Sequence, residues 1–130
     1  MGTNLRLLLG MMIIITTSCT EIFKTELPPI KDCTGDNDLC NYTDSIQPIF
    51  DTHCTVCHNS ALPQGGLSLE SHIELMRGNI VEPYDSLNSI LIYRLTGEHP
   101  LSFMPPSPRT PLENSKIHMI SKWIQAGAGE

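Results

Sequence analysis

The chain has 130 residues and a formal net charge of −6, a length that suits one domain rather than two. The acidic balance argues against a nucleic-acid partner and favours a protein partner with a basic docking face. Aromatic residues make up only 5% of the chain, so the core is small and calls for a staple or a bound group to reinforce it.

Residues 1–18 read as a bacterial secretion signal. Arg6 is the only charge before residue 21, Leu7 to Ile15 is an apolar run broken only by Gly10, and polar Thr16, Thr17 and Ser18 follow. Nine residues are too few to span a bilayer, which takes ~20 in a helix, whereas a short apolar core behind a basic start suits cleavage. Ser18-Cys19 then puts a cysteine directly after a small residue, which resembles the lipobox of bacterial lipoproteins. The departure is Thr16, where leucine is usual. The resemblance implies lipidation of Cys19, an exported protein, and membrane attachment at the periplasmic or cell-envelope face; an ordinary secretory signal with a chance cysteine is the alternative. Loss of Arg6 with the signal takes the formal charge from −6 to −7. Thr20 to Pro29 looks like an extended tether.

Five cysteines are present, an odd number for an exported protein. Cys33 and Cys40 flank a polar, Asp-rich loop containing Gly35 and Asn37, and an oxidising compartment lets them pair. Two free thiols or a cation loop are the alternatives, although the spacing lacks the sixth-position Gly and twelfth-position Glu of a calcium loop.

The folded domain is expected to start near Tyr42, with Asp44 or Ser45 capping a helix that carries Pro48 in its first turn. Ile46, Ile49 and Phe50 share a face that continues into His53, Cys54 and Cys57. A loop with Pro63 and Gly65-Gly66 follows, and Leu67 and Leu69 are expected to return to the core. Ser71 and Glu74 have capping-box spacing, and Gly78 suits a helix end. Asp85 or Ser86 can cap the next helix, with Leu87, Ile90, Leu91 and Leu95 on its apolar side. Residues 97–111 form a loop with five prolines. The last helix runs from about Leu112 to Ala126, buries Ile117, Ile120, Trp123 and Ile124, and closes at Gly127. No segment demands a strand, so the expected fold class is all-α with long loops.

Cys54-Thr55-Val56-Cys57-His58 matches the attachment pattern of a c-type haem. Two cysteines three apart lie on one face of a helical turn, so both sulfurs reach the vinyl groups along one haem edge, and the next imidazole can ligate the iron. Two other chemistries compete. A redox Cys-x-x-Cys usually sits in an α/β setting. A four-thiolate zinc site would draw on Cys33, Cys40, Cys54 and Cys57, but the first pair is spaced too widely. Met104, in Phe103-Met104-Pro105-Pro106, is the expected second axial ligand, because a loop thioether raises the potential over bis-His ligation. Pro105 also biases the Met104 backbone toward extension. Met76 and Met119 read as core gap-fillers. Among histidines, His99 is the main rival, His53 is too near Cys54, and His72 and His118 read as solvent-facing. Trp123, Tyr93, Arg94 and Arg109 are candidate donors to haem propionates, each with a bland alternative in core or surface.

Several motifs occur in the order found in planctomycete-type c-type cytochromes. These are Ile-Gln-Pro-Ile-Phe before Cys-Thr-Val-Cys-His, Gly-Gly-Leu-Ser-Leu after it, Ser-x-Leu at 89–91, Met-Pro-Pro at 104–106, and Ile-x-x-Trp-Ile-x-x-Gly-Ala at 120–128. Residues 44–128 resemble this family. The resemblance implies a small monohaem cytochrome c-like fold with first and last helices packed together, so that the Ile49/Phe50 face meets Trp123. It also implies one covalent haem c on Cys54 and Cys57, with His58 and Met104 as axial ligands. The chain thus divides into a signal (1–18), a lipidated tether with the two-cysteine loop (19–43) and a cytochrome c domain (44–130). The expected function is electron transfer without catalysis, to a redox partner protein. A peroxidase-like haem enzyme or accessory subunit, and a haem-free envelope binding module, are the alternatives.

Overall fold

The computed structural model describes residues 40–98, 100 and 102–130. The export segment, Cys19, Cys33 and His99 lie outside the described residues.

The fold is all-α. A π-helical turn, Tyr42–Ile46, runs straight into α1 (Gln47–His53), and α2 (His72–Arg77), α3 (Ile90–Thr96) and α4 (Asn114–Gln125) follow, with 3₁₀ turns at Gln64–Gly66 and Ser86–Asn88. Among the described residues no strand forms, the nearest approach being one antiparallel bridge between His58 and Pro63. No helix among them is long and apolar enough to cross a membrane.

The first helical segment starts earlier than the sequence suggests. Its cap is Asn41, whose side chain accepts the Asp44 N–H at 3.1 Å, so Asp44 and Ser45 lie inside the turn rather than before it. The gain is Tyr42, which the earlier start carries into the core. Pro48 sits in the first turn of α1, where its missing N–H goes unused. Ile46, Ile49 and Phe50 are almost fully buried, as their shared face requires. Ser71 caps α2 by accepting the Glu74 N–H. Glu74 does not close the box; its carboxylate accepts the Ser68 hydroxyl.

The third helix departs further. Asp85 caps only the short 3₁₀ turn, and α3 begins afresh at Ile90. The break rotates Leu87 out of the apolar row, leaving it 78% exposed, while Leu91, Ile92 and Leu95 are buried. Ser89, fully buried at the break, accepts the Glu82 N–H at 2.9 Å and donates to the Asp85 carbonyl at 2.9 Å. These bonds satisfy a hydroxyl that would otherwise be costly to bury.

Ile117 is only half-buried against the core, but α4 buries Ile120, Trp123 and Ile124 of the expected stripe and adds Met119. It meets the first helical segment through Tyr42, whose ring lies 5.3 Å from Trp123 and 4.9 Å from His72. His72 is therefore not solvent-facing: its Nε2 is 2.7 Å from the Ala128 carbonyl oxygen. Trp123 Nε1 donates to the Gly129 carbonyl at 2.7 Å, which uses the donor considered for a propionate. The two bonds fasten the C-terminal tail over the aromatic trio.

Trp123 is 1% exposed, so Trp123→Ala is expected to lower the unfolding free energy by about 3–5 kcal/mol. Denaturant titration checks this, and a loss below about 1 kcal/mol would contradict the packing.

Candidate functional site

The last carbonyls of α1 build the site. Phe50 oxygen accepts the Cys54 N–H at 2.8 Å and the Thr55 N–H at 3.0 Å, and Cys54 oxygen in turn accepts both the Cys57 and the His58 N–H at 3.0 Å. Residues 54–57 are hydrogen-bonded turn rather than a continuation of the helix, but the turn is tight enough to bring Cys54, Cys57 and His58 to one cleft. Because α1 is anchored by Ile49 and Phe50, the turn inherits a fixed origin in the core.

The loop after His58 is held as firmly. Asn59 Oδ1 accepts the Ala61 and Leu62 N–H groups at 3.0 and 2.8 Å, and its Nδ2 donates to the Thr55 carbonyl at 2.8 Å. Leu69 N–H donates to the His58 carbonyl at 2.9 Å, and Gln47 Nε2 donates to the Leu69 carbonyl at 3.0 Å. Leu69 is buried and lines the cleft beside Leu67.

Two adjoining depressions share Cys54, His58, Gln64, Leu95 and Met104. The larger encloses about 380 Å³, within the ~300–1,000 Å³ usual for cofactor sites. Its walls are mainly aliphatic, from Leu67, Leu69, Ile80, Leu91 and Leu95. Met104 thus faces the same space as Cys54, Cys57 and His58, although it lies 46 residues beyond His58 in the chain. Its N–H donates to the Arg94 carbonyl at 2.8 Å, which ties the proline-rich loop to α3. The Met104–Pro105 and Ser107–Pro108 peptide bonds are cis.

His53 also borders the cleft, and burial holds its imidazole below the usual histidine range. Met76 packs against the core and Met119 lies within it, apart from the cleft. His118 is exposed. Arg94 and Arg109 line the cleft, but Arg94 Nη1 donates to the Ser102 carbonyl at 3.0 Å. Gln64 touches both depressions, and Asn59 organises the turn beneath it. Neither carries a sequence signal, because each lies in a loop whose composition says only that the chain reverses.

The donor set fits a haem c. Cys54 and Cys57 are free of any disulfide, and thus open to thioether formation. His58 Nδ1 is buried without a hydrogen-bond partner, an unsatisfied ring nitrogen that costs ~1–3 kcal/mol when left unused. The rival chemistries fit poorly. Cys40 is disulfide-bonded, so it offers no thiolate to a zinc ion; its expected partner Cys33 lies outside the described residues. Burial pushes the Cys54 thiol up to about 11, the opposite of what a reactive redox thiolate requires. Among the described residues no group of three His, Cys, Asp or Glu side chains is arranged to hold a metal ion. A haem iron needs none, since the porphyrin supplies four donors.

Residues 54–108 match the family described as planctomycete cytochrome C. No curated protein and no solved structure matches the chain.

At Gly65 and Gly66, which border the cleft, φ is +67° and +74°, and an added Cβ would meet nothing within 4 Å. Gly65→Ala and Gly66→Ala are each expected to cost about 1–2 kcal/mol, from the left-handed backbone alone. Gly129→Ala, with equal space and no such backbone, should change stability by less than about 0.5 kcal/mol. Equal effects at the three positions in chemical unfolding would contradict the assignment of cost to φ.

Proposed function

From the match of residues 54–108 to planctomycete cytochrome C, we propose that the chain is a haem-binding c-type cytochrome that carries electrons on a single, His/Met-ligated haem. The observation that carries this reading is the convergence of Cys54, Cys57, His58 and Met104 on one cleft, continuous through Cys54, His58 and Met104 with the adjoining aliphatic depression. The single Cys-x-x-Cys-His motif supports a count of one.

Cys54 and Cys57 hold the group by thioether bonds, which prevents its loss in an extracytoplasmic compartment. Bound there, haem supplies an iron that alternates between ferrous and ferric and so stores one electron. His58 would hold the iron through an imidazole nitrogen and Met104 through its thioether sulfur. Thioether ligation favours the ferrous state and raises the potential relative to two imidazoles. Leu69, Ile80, Leu91 and Leu95 exclude water from the cleft, lowering its local dielectric and limiting reorganisation when the charge changes. Bond-making on a substrate is required of no side chain. A peroxidase would need an open iron position beside an acid/base group, and Met104 in the cleft favours the carrier.

The carrier is exported, tethered to the cell-envelope membrane through lipid on Cys19, and exchanges electrons with a partner protein bearing a basic docking face. The apolar run before Ser18-Cys19 and the net charge of −6 support this placement.

A redox titration of the holoprotein is expected to show one reversible one-electron step. Met104→Ala should lower the potential and open the ferrous iron to carbon monoxide, while Met119→Ala leaves both unchanged. Retention of the potential and of carbon monoxide exclusion in Met104→Ala would overturn the axial assignment.

A further inference from the structure

The segment that carries Met104 is held against the end of α3 by a clamp. Arg94, in the last turn of α3, grips it twice: its carbonyl accepts the Met104 N–H at 2.8 Å, and its guanidinium donates to the Ser102 carbonyl at 3.0 Å. The intervening residue, Phe103, lays its ring on Gly97, where a Cβ would stand only 3.0 Å from Phe103 Cδ2. Gly97 closes α3 in the left-handed region, φ +74°, so one glycine both ends the helix and leaves room for the ring. Three consecutive residues, 102 to 104, are thus fixed to α3 beside the cleft that Arg94 itself lines.

We infer that Arg94 is a positioning residue for Met104, with its guanidinium–Ser102 bond setting how readily the thioether leaves the iron. The inference rests on Met104 being the axial ligand. Thioether sulfur is a weak donor to ferric iron, so its occupancy depends on how well the loop is held in place. A loop fastened at Ser102 and Met104 keeps the sulfur at high effective concentration and hinders competing ligands. The backbone bond from Met104 survives any change of side chain at position 94. The guanidinium bond does not, so substitution tests that half of the clamp alone.

The test is competition by added imidazole for the ferric iron of the holoprotein. Arg94→Met keeps the aliphatic stem and removes the donor. It is expected to bind imidazole roughly three- to tenfold more tightly than the unaltered protein, the range set by the net contribution of one solvent-exposed hydrogen bond. The Met–iron absorption band should still be present before imidazole is added. Where Arg94→Met does not accumulate as holoprotein, Arg94→Gln serves in its place, because its shorter amide does not span to Ser102. An imidazole affinity within about 1.5-fold of the unaltered protein would overturn the inference, even if the potential shifts, since a shift alone reports only the lost charge. Failure of the underlying reading looks different. In that case the unaltered ferric protein lacks the Met–iron band, and Met104→Ala leaves imidazole affinity unchanged. If Arg94 alone is misassigned, the band is present and Met104→Ala still binds imidazole more tightly.

Discussion

The hydrogen bonds at the end of α1 are the constraint on which the rest depends. Phe50 oxygen takes the Cys54 and Thr55 N–H groups, and Cys54 oxygen takes those of Cys57 and His58. A helix that simply continued would keep the side chains at 54, 57 and 58 within about a third of its circumference, and the hydrogen-bonded turn likewise keeps them together. A free loop would leave them unordered. The tight turn orders them, and because Phe50 is 1% exposed its origin is fixed in the core. Both cysteine side chains and the imidazole therefore refer to one buried ring.

Everything on the far side of the cleft is held by reference to α3. Leu91 N–H donates to the Ile80 carbonyl at 2.9 Å and Met104 N–H to the Arg94 carbonyl at 2.8 Å, so one short helix positions both an aliphatic wall and the methionine segment. α4 and the C-terminal tail supply the buttress. Tyr42, His72 and Trp123 come from three separate helical segments, and their rings lie within 6.0 Å of one another, centre to centre. In a chain with 5% aromatic residues this cluster carries a large share of the apolar burial. Tyr42 also lies 6.4 Å from Phe50 of α1, ring centre to ring centre, so the cluster and the Cys54-to-His58 turn share one scaffold.

What was legible beforehand was whatever depends on neighbours in sequence. The Cys54-to-His58 motif, the Ile46/Ile49/Phe50 face and the stripe of α4 follow from local spacing, and Met104 stood out because it lies between Phe103 and two prolines. The parts that could not be read depend on distant partners. His72 has the pattern of a surface helix residue, and only the tail at Ala128 and the ring of Tyr42 make it a clasp. Leu87 fits the row of α3 in projection, but a 3₁₀ turn and the buried Ser89 break the register. Asn41 gives no sign that a π-turn will follow it. Arg94 looks like solvated charge until the loop carrying Ser102 is placed beside it.

In the proposed function Cys54 and Cys57 carry one covalent haem. Intact mass combined with a pyridine haemochrome assay, on protein expressed with a haem-attachment system, tests it most directly. One haem per chain that survives acid–acetone extraction, and is absent from the Cys54→Ala/Cys57→Ala double variant, is the expected result. A chain that matures without covalent haem, or a double variant that retains it, would contradict the account.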